Sequence, residues 1–166
     1  MPMHTGERRD RLVKYESGLF SDAHKPILQA WVDGKQSVEE MAQSLGKTIL
    51  RIHQLRSEIT SVMGVGIGKN HVAKAVVYAV VHSLVNFDLI DQIRPKRPFA
   101  DRETNILTSM AMGLDNQQIV VHLSIKPDDV KAGKRDILDN LGVSSPYTAI
   151  AWGVRRYIQR LRRQSG

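Results

Sequence analysis

The chain has 166 residues, 42% hydrophobic and 25% charged, with no cysteine and a formal charge of +7 at a pI near 9.9. That length suits one domain or two small ones with a real core. The missing thiols exclude disulfides and thiolate metal sites and fit a reducing cytoplasm, and the basic balance points to a polyanionic partner.

Residues 1–18 are polar, with four basic and three acidic groups and no apolar block, so an N-terminal extension is expected there rather than a signal peptide. A first helix is expected after Ser21-Asp22, residues suited to N-capping, with Gly34 placed as its C-terminal cap. A short second helix covers residues 38–44 and a third covers 48–62. In the third, Ile52, Leu55, Ile59, Val62 and Met63 recur at spacings of three and four. A fourth runs from about 70 to 85 and is unusually apolar for a surface helix. Lys74 and His82 interrupt it, and it falls short of the ~20 apolar residues needed to span a bilayer. The stretch DLIDQIRPKRPFAD carries two prolines and is expected to break helix, which places a domain boundary at 88–98.

The same order then recurs. Helices are expected from Asp101 to Gly113, over 117–123, over 127–140 and over 146–161. Pro127 suits a first helical turn, where its missing N–H costs nothing. At an offset of 79, Phe20 meets Phe99, Asp22 meets Asp101, Ile27 meets Ile106, Leu28 meets Leu107 and Gly34 meets Gly113. After one extra residue in the first copy the offset becomes 78. Leu45 then meets Leu123, Ile52 meets Val130, Ile59 meets Ile137, Gly64 meets Gly142 and Ala73 meets Ala151. Two copies of one small domain are the economical account.

Charge is spread unevenly over this plan. Residues 19–92 carry seven basic and seven acidic groups, 93–98 add three basic groups, and 99–166 hold ten basic against seven acidic. The excess lies in the linker and in the tail, where Arg155, Arg156, Arg160, Arg162 and Arg163 follow one another.

Little in the chain points to catalysis. The run VMGVGIGKN has glycines before a lysine, but Met63 stands where a phosphate loop needs its first glycine, and Asn70 replaces the Ser or Thr after the lysine. Lys69 and His71 likewise spoil the dinucleotide pattern. The run is read as the turn between the third and fourth helices, with Gly64 as a helix stop and Lys69 as a loop cation. Six histidines show no paired metal spacing, and His122 is expected to be a structural or surface residue. Trp31 and Trp152 fall among apolar residues and are expected to pack in a core or an interface. No cofactor, metal or enzymatic activity is expected.

A short helix, a tight turn and a longer helix with one polar face make a helix-turn-helix. With FADRETNIL, GLDNQQIVVHLSIKPDDVK and DILDNLGVSSPYTAIAW, the second copy strongly resembles the LuxR/GerE-type helix-turn-helix domain of bacterial transcription regulators. The resemblance covers the acidic-Arg-Glu opening, the Gly-Leu-x-Asn-x-x-Ile entry to helix two, the Val-Lys step and the closing Leu-Gly-Val. The first copy resembles it more weakly, with His24 in place of the opening glutamate.

The resemblance implies an all-α fold of two four-helix domains, at 19–87 and 99–166, joined by the linker 88–98. It implies a cytoplasmic, nucleoid-associated bacterial regulator whose partner is double-stranded DNA, each third helix entering a major groove. Lys131 then sits at a DNA-contacting position with Lys134 and Arg135 a turn on, and the first copy offers Arg51, His53, Gln54 and Arg56. Lys47 and Lys126 at the turns, and Arg94, Lys96 and Arg97 in the linker, would meet the DNA backbone. Two features depart from the pattern: Gly133 removes a side chain where relatives often carry a contacting residue, and Asp128 and Asp129 would face phosphates unfavourably. The fourth helices are expected to pair as an intramolecular pseudo-dimer or in a homodimer, with no receiver or ligand-binding domain. The alternative is an adaptor or antiactivator that uses the same fold to bind RNA polymerase or another regulator.

Overall fold

A computed structural model describes residues 20–35, 37–63 and 70–166. The extension at 1–18 and the glycine-rich run 64–69, with its expected helix stop and loop cation, lie outside the described residues. Among those described there are nine α-helices and no strand.

Helix α1 (Lys25–Val32) opens with Pro26 in its first turn. The expected cap at Ser21-Asp22 is displaced: His24 is the N-cap residue, with no side-chain cap bond, and its own N–H donates to Ser21 O at 3.0 Å. The helix ends where Gly34 adopts φ +89 and Lys35 N–H reaches back to Ala30 O at 2.8 Å. Helix α2 (Val38–Leu45) is capped by Ser37, whose hydroxyl accepts from Glu40 N–H at 3.0 Å. Gly46 turns the chain at φ +62 into α3 (Ile49–Met63), which buries Ile52, Leu55 and Ile59. Helix α4 (His71–Val81) stops well before the expected residue 85. Ser83 takes φ 54 there, and Leu84 N–H bonds Ala79 O at 2.9 Å.

The linker is not free of helix, contrary to expectation. Asp88–Gln92 forms α5. Both prolines lie after it, Asn86 Oδ1 accepts from Asp88 N–H at 2.7 Å, and Ile90 is buried as its anchor. Helix α6 (Asp101–Ala111) takes Ala100 as its N-cap, so Asp101 is the first helical residue, where its charge favours the helix dipole. Helix α7 (Asn116–Leu123) starts with a capping box between Asp115 and Gln118. Helix α8 (Pro127–Leu141) ends at Gly142 with φ +68. Helix α9 (Pro146–Gln164) begins at Ser145, whose hydroxyl accepts from Tyr147 N–H at 3.2 Å, and runs beyond the expected end at 161.

One cluster of buried apolar side chains runs from Phe20 through Ala79 to Val154, so the core is continuous along the described chain. Its centre is the contact between α4 and α9, both rich in fully buried alanines that let two helices approach closely. Helix α1 also packs on α9, and α4 on α6. Thr148 and Asn70, 78 positions apart, each donate to a backbone oxygen across this centre. Thr148 Oγ1 donates to Val32 O at 2.7 Å, and Asn70 Nδ2 donates to Leu114 O at 3.3 Å. Trp31 and Trp152 are both buried, as their apolar surroundings suggest.

The linker is held to α8 by one side chain. Asn140, buried, accepts from Arg97 N–H at 2.9 Å and donates to Arg97 O at 3.0 Å, while its own backbone O takes Lys96 N–H at 2.9 Å. Asn140→Ala leaves two linker backbone groups without a partner, and the expected loss is about 1–3 kcal/mol in urea unfolding. An unchanged midpoint would show that water satisfies those groups.

Candidate nucleic-acid interface

Two helix-turn-helix arrangements of matching size stand out. Eight-residue α2 leads through residues 46–48 into fifteen-residue α3, and eight-residue α7 leads through 124–126 into fifteen-residue α8. In each the longer helix buries one stripe and leaves the opposite face in solvent.

On α8 the buried stripe is Val130, Gly133, Ile137, Asn140 and Leu141. Gly133 is therefore not a missing contact residue. A Cβ built there would overlap Ile106 Cδ1, so the glycine is a packing position that lets α8 lie close on α6. The outward face presents Asp128, Lys131, Arg135 and Asp139, all exposed. Asp129 is partly neutralised by Arg102, whose Nη1 lies 3.5 Å from its carboxylate. Arg102, part of the acidic-Arg-Glu opening, contributes here although it lies outside the expected set of contact residues. Lys134 turns inward, donating to Asn116 Oδ1 across to α7. Burial holds its ammonium below the ordinary lysine pKa, and the Asp115 charge works the other way.

On α3 the outward face is less charged. Leu50 (68% exposed), His53, Gln54 and Ser57 line it. Arg51 is exposed at its edge, with Nη1 3.9 Å from Glu58. Glu58 also takes His24 Nε2 at 2.6 Å, so the histidine at the opening-glutamate position serves to hold α3 against the start of α1. Arg56 lies off this face: it is half-buried, with its guanidinium 5.9 Å from the Trp31 ring centroid. It also acts on Tyr147 of α9, whose phenol pKa is raised by burial and lowered by the Arg56 charge. Arg56 and Lys134 occupy equivalent positions in the two helices, and both point away from the exposed face.

The remaining basic residues divide the same way. Lys47 and Lys126 are exposed at the two turns. Arg94 is folded onto its own linker, donating from Nη1 to Asp91 O and Ile93 O. Arg97 pairs with the buried Glu103 at 3.0 Å, and Lys96 stays exposed. Among the described residues no group of His, Asp and Glu could hold a metal ion, and no helix is long and apolar enough to cross a membrane.

Helices α6 to α8 with the start of α9 thus define a helix-turn-helix unit whose second helix is exposed along one polar face. Residues 97–152 match the model of a family described as bacterial regulatory proteins, luxR family. The match takes in α6, α7, α8 and α9 as far as Trp152, and it makes that part of the chain similar to DNA-binding transcription regulators rather than to an enzyme. No curated protein and no solved structure matches the chain.

Proposed function

We propose that this chain is a DNA-binding transcription regulator built from two helix-turn-helix copies, at 19–87 and 99–166, with α3 and α8 as its reading helices. The observation that carries the reading is the luxR-family match over α6–α9, with Lys131 and Arg135 exposed together on α8. Repetition of helix order, the equal lengths of α2 and α7 and of α3 and α8, and the cross-centre bonds of Asn70 and Thr148 support the second copy. In this reading α4 and α9 form a pseudo-dimer within one chain. Lys131 and Arg135 meet base edges and phosphates, as do Arg51, His53 and Gln54 with α3, while Lys47 and Lys126 touch the backbone. Lys96 is the linker cation best free to do so.

A genome-wide map of DNA bound by the wild-type chain tests this. Expected is a defined set of sites sharing a two-part sequence, with binding that falls steeply as salt rises. A map without enriched sites sinks the reading.

A second reading has one specific observation behind it. Helix α8 carries four carboxylates against three basic groups, and α3 exposes Ile49 and Leu50 at its leading end. Those features suit an adaptor that docks on RNA polymerase or another regulator. Tight protein binding in the absence of any DNA shift would favour it.

A further inference from the structure

The nineteen residues of α9 include five arginines and no carboxylate. A helix that merely faces solvent gains from acidic partners three or four positions away, and like charges at that spacing repel. Here Arg156, Arg160 and Arg163 repeat at that spacing. Among the described residues none of these three forms an ion pair.

Two of the three, Arg156 and Arg163, also line a built surface. Between α5 and the distal half of α9 lies a cleft of about 250 Å³, bordered by Arg94, Arg155, Arg156 and Arg163. Asp91 is the one carboxylate on it, and that group is engaged: Arg155 Nε and Nη2 each lie 3.2 Å from its oxygens. The Arg155 guanidinium is further fixed 4.1 Å from the Phe87 ring centroid, and that of Arg156 lies 5.4 Å from the Trp152 ring centroid. Side chains held in this way lose little further freedom when an anion arrives. Four guanidiniums against one carboxylate leave the cleft strongly positive.

We propose that the α5–α9 cleft and the arginine row beyond it bind the phosphodiester backbone of DNA flanking the sequence read by α3 and α8. The shape favours a backbone over a single phosphate. From Arg155 to Arg163 the helix rises about 12 Å, whereas DNA presents a phosphate about every 3.4 Å of axis per strand. Because successive phosphates also wind around that axis and so lie farther apart through space, a row of this length reaches more than one phosphate of a strand. Among the described residues nothing comparable follows α4, which ends at Val81.

This inference rests on the DNA-binding reading, and the two fail separately. The full chain is titrated with a long random-sequence duplex over a potassium chloride series, as wild type, as Arg156→Gln/Arg160→Gln/Arg163→Gln and as Lys131→Ala. All three arginines are exposed, so the fold should be kept, which circular dichroism checks. The triple variant should bind roughly tenfold more weakly or worse, with a salt slope shallower by about 2–3, against about 1 for Lys131→Ala. An unchanged slope and affinity in the triple variant overturn the proposal and leave the reading helices standing. A wild type that binds no duplex overturns both. If the triple variant loses affinity for inorganic pyrophosphate but keeps its duplex binding, the cleft is a free-phosphate site and the proposal is wrong.

Discussion

Exchange of Lys131 and Arg135 together for alanine is expected to weaken binding to a mapped operator by about 2–4 kcal/mol, or roughly 30- to 1,000-fold. Both side chains stand free on the exposed face of α8, flanked by Asp128 and Asp139. With those two carboxylates left in place and both cations gone, the face would turn net negative toward a polyanion. Arg56→Ala and Lys134→Ala make the informative controls. One side chain lies against Trp31 and the other on Asn116, so each should leave affinity near wild type once folding is confirmed. Fluorescence anisotropy on a labelled operator measures all of them. A larger loss for the controls than for the double variant would mean that the wrong face of α8 has been assigned.

Trp31→Ala is expected to cost about 3–5 kcal/mol of stability, the range for removing a fully buried tryptophan. Only 1% of Trp31 is exposed, and its helix packs on α3, α4 and α9 at once. Against a total of about 5–15 kcal/mol that loss is severe, equivalent to a fall of roughly 6–20 °C in Tm for a chain of this size. The core is continuous from Phe20 to Val154, so calorimetry should show one transition moving as a whole. A second transition that stays at the wild-type temperature would mean that the two halves unfold independently.

Much of this architecture is legible in the residues. The stops at Gly34, Gly113 and Gly142 act locally, so they report helix ends before any tertiary contact is known, whereas the caps expected at Ser21-Asp22 and Asp101 give way to His24 and Ala100. Part of what escaped depends on contacts distant in sequence. Helix α5 exists because Ile90 finds a buried seat and Asn86 is clamped by Gln29, whose Oε1 accepts from Asn86 N–H at 2.6 Å. Helix α4 stops early because a serine takes a backbone conformation more usual for glycine. Gly133 reads as a weak spot in a helix until Ile106 is seen to fill the space beside it. For the reading helices the missed signal was present all along. Ile52, Leu55 and Ile59 fix the buried stripe of α3, and Arg56 falls next to that stripe by helical phase alone. Lys134 follows from Val130 and Ile137 in the same way.

The packing of α4 against α9 within one covalent chain also bears on dosage. Two separate molecules that must meet before they bind draw on the square of their concentration, so their occupancy collapses when copies are few. Contact between α4 and α9 carries no such concentration term, because the linker through α5 keeps each within reach of the other. Under the pseudo-dimer proposed above, with one chain bound per site, occupancy would follow the chain's own abundance in simple proportion, with a titration curve of unit steepness.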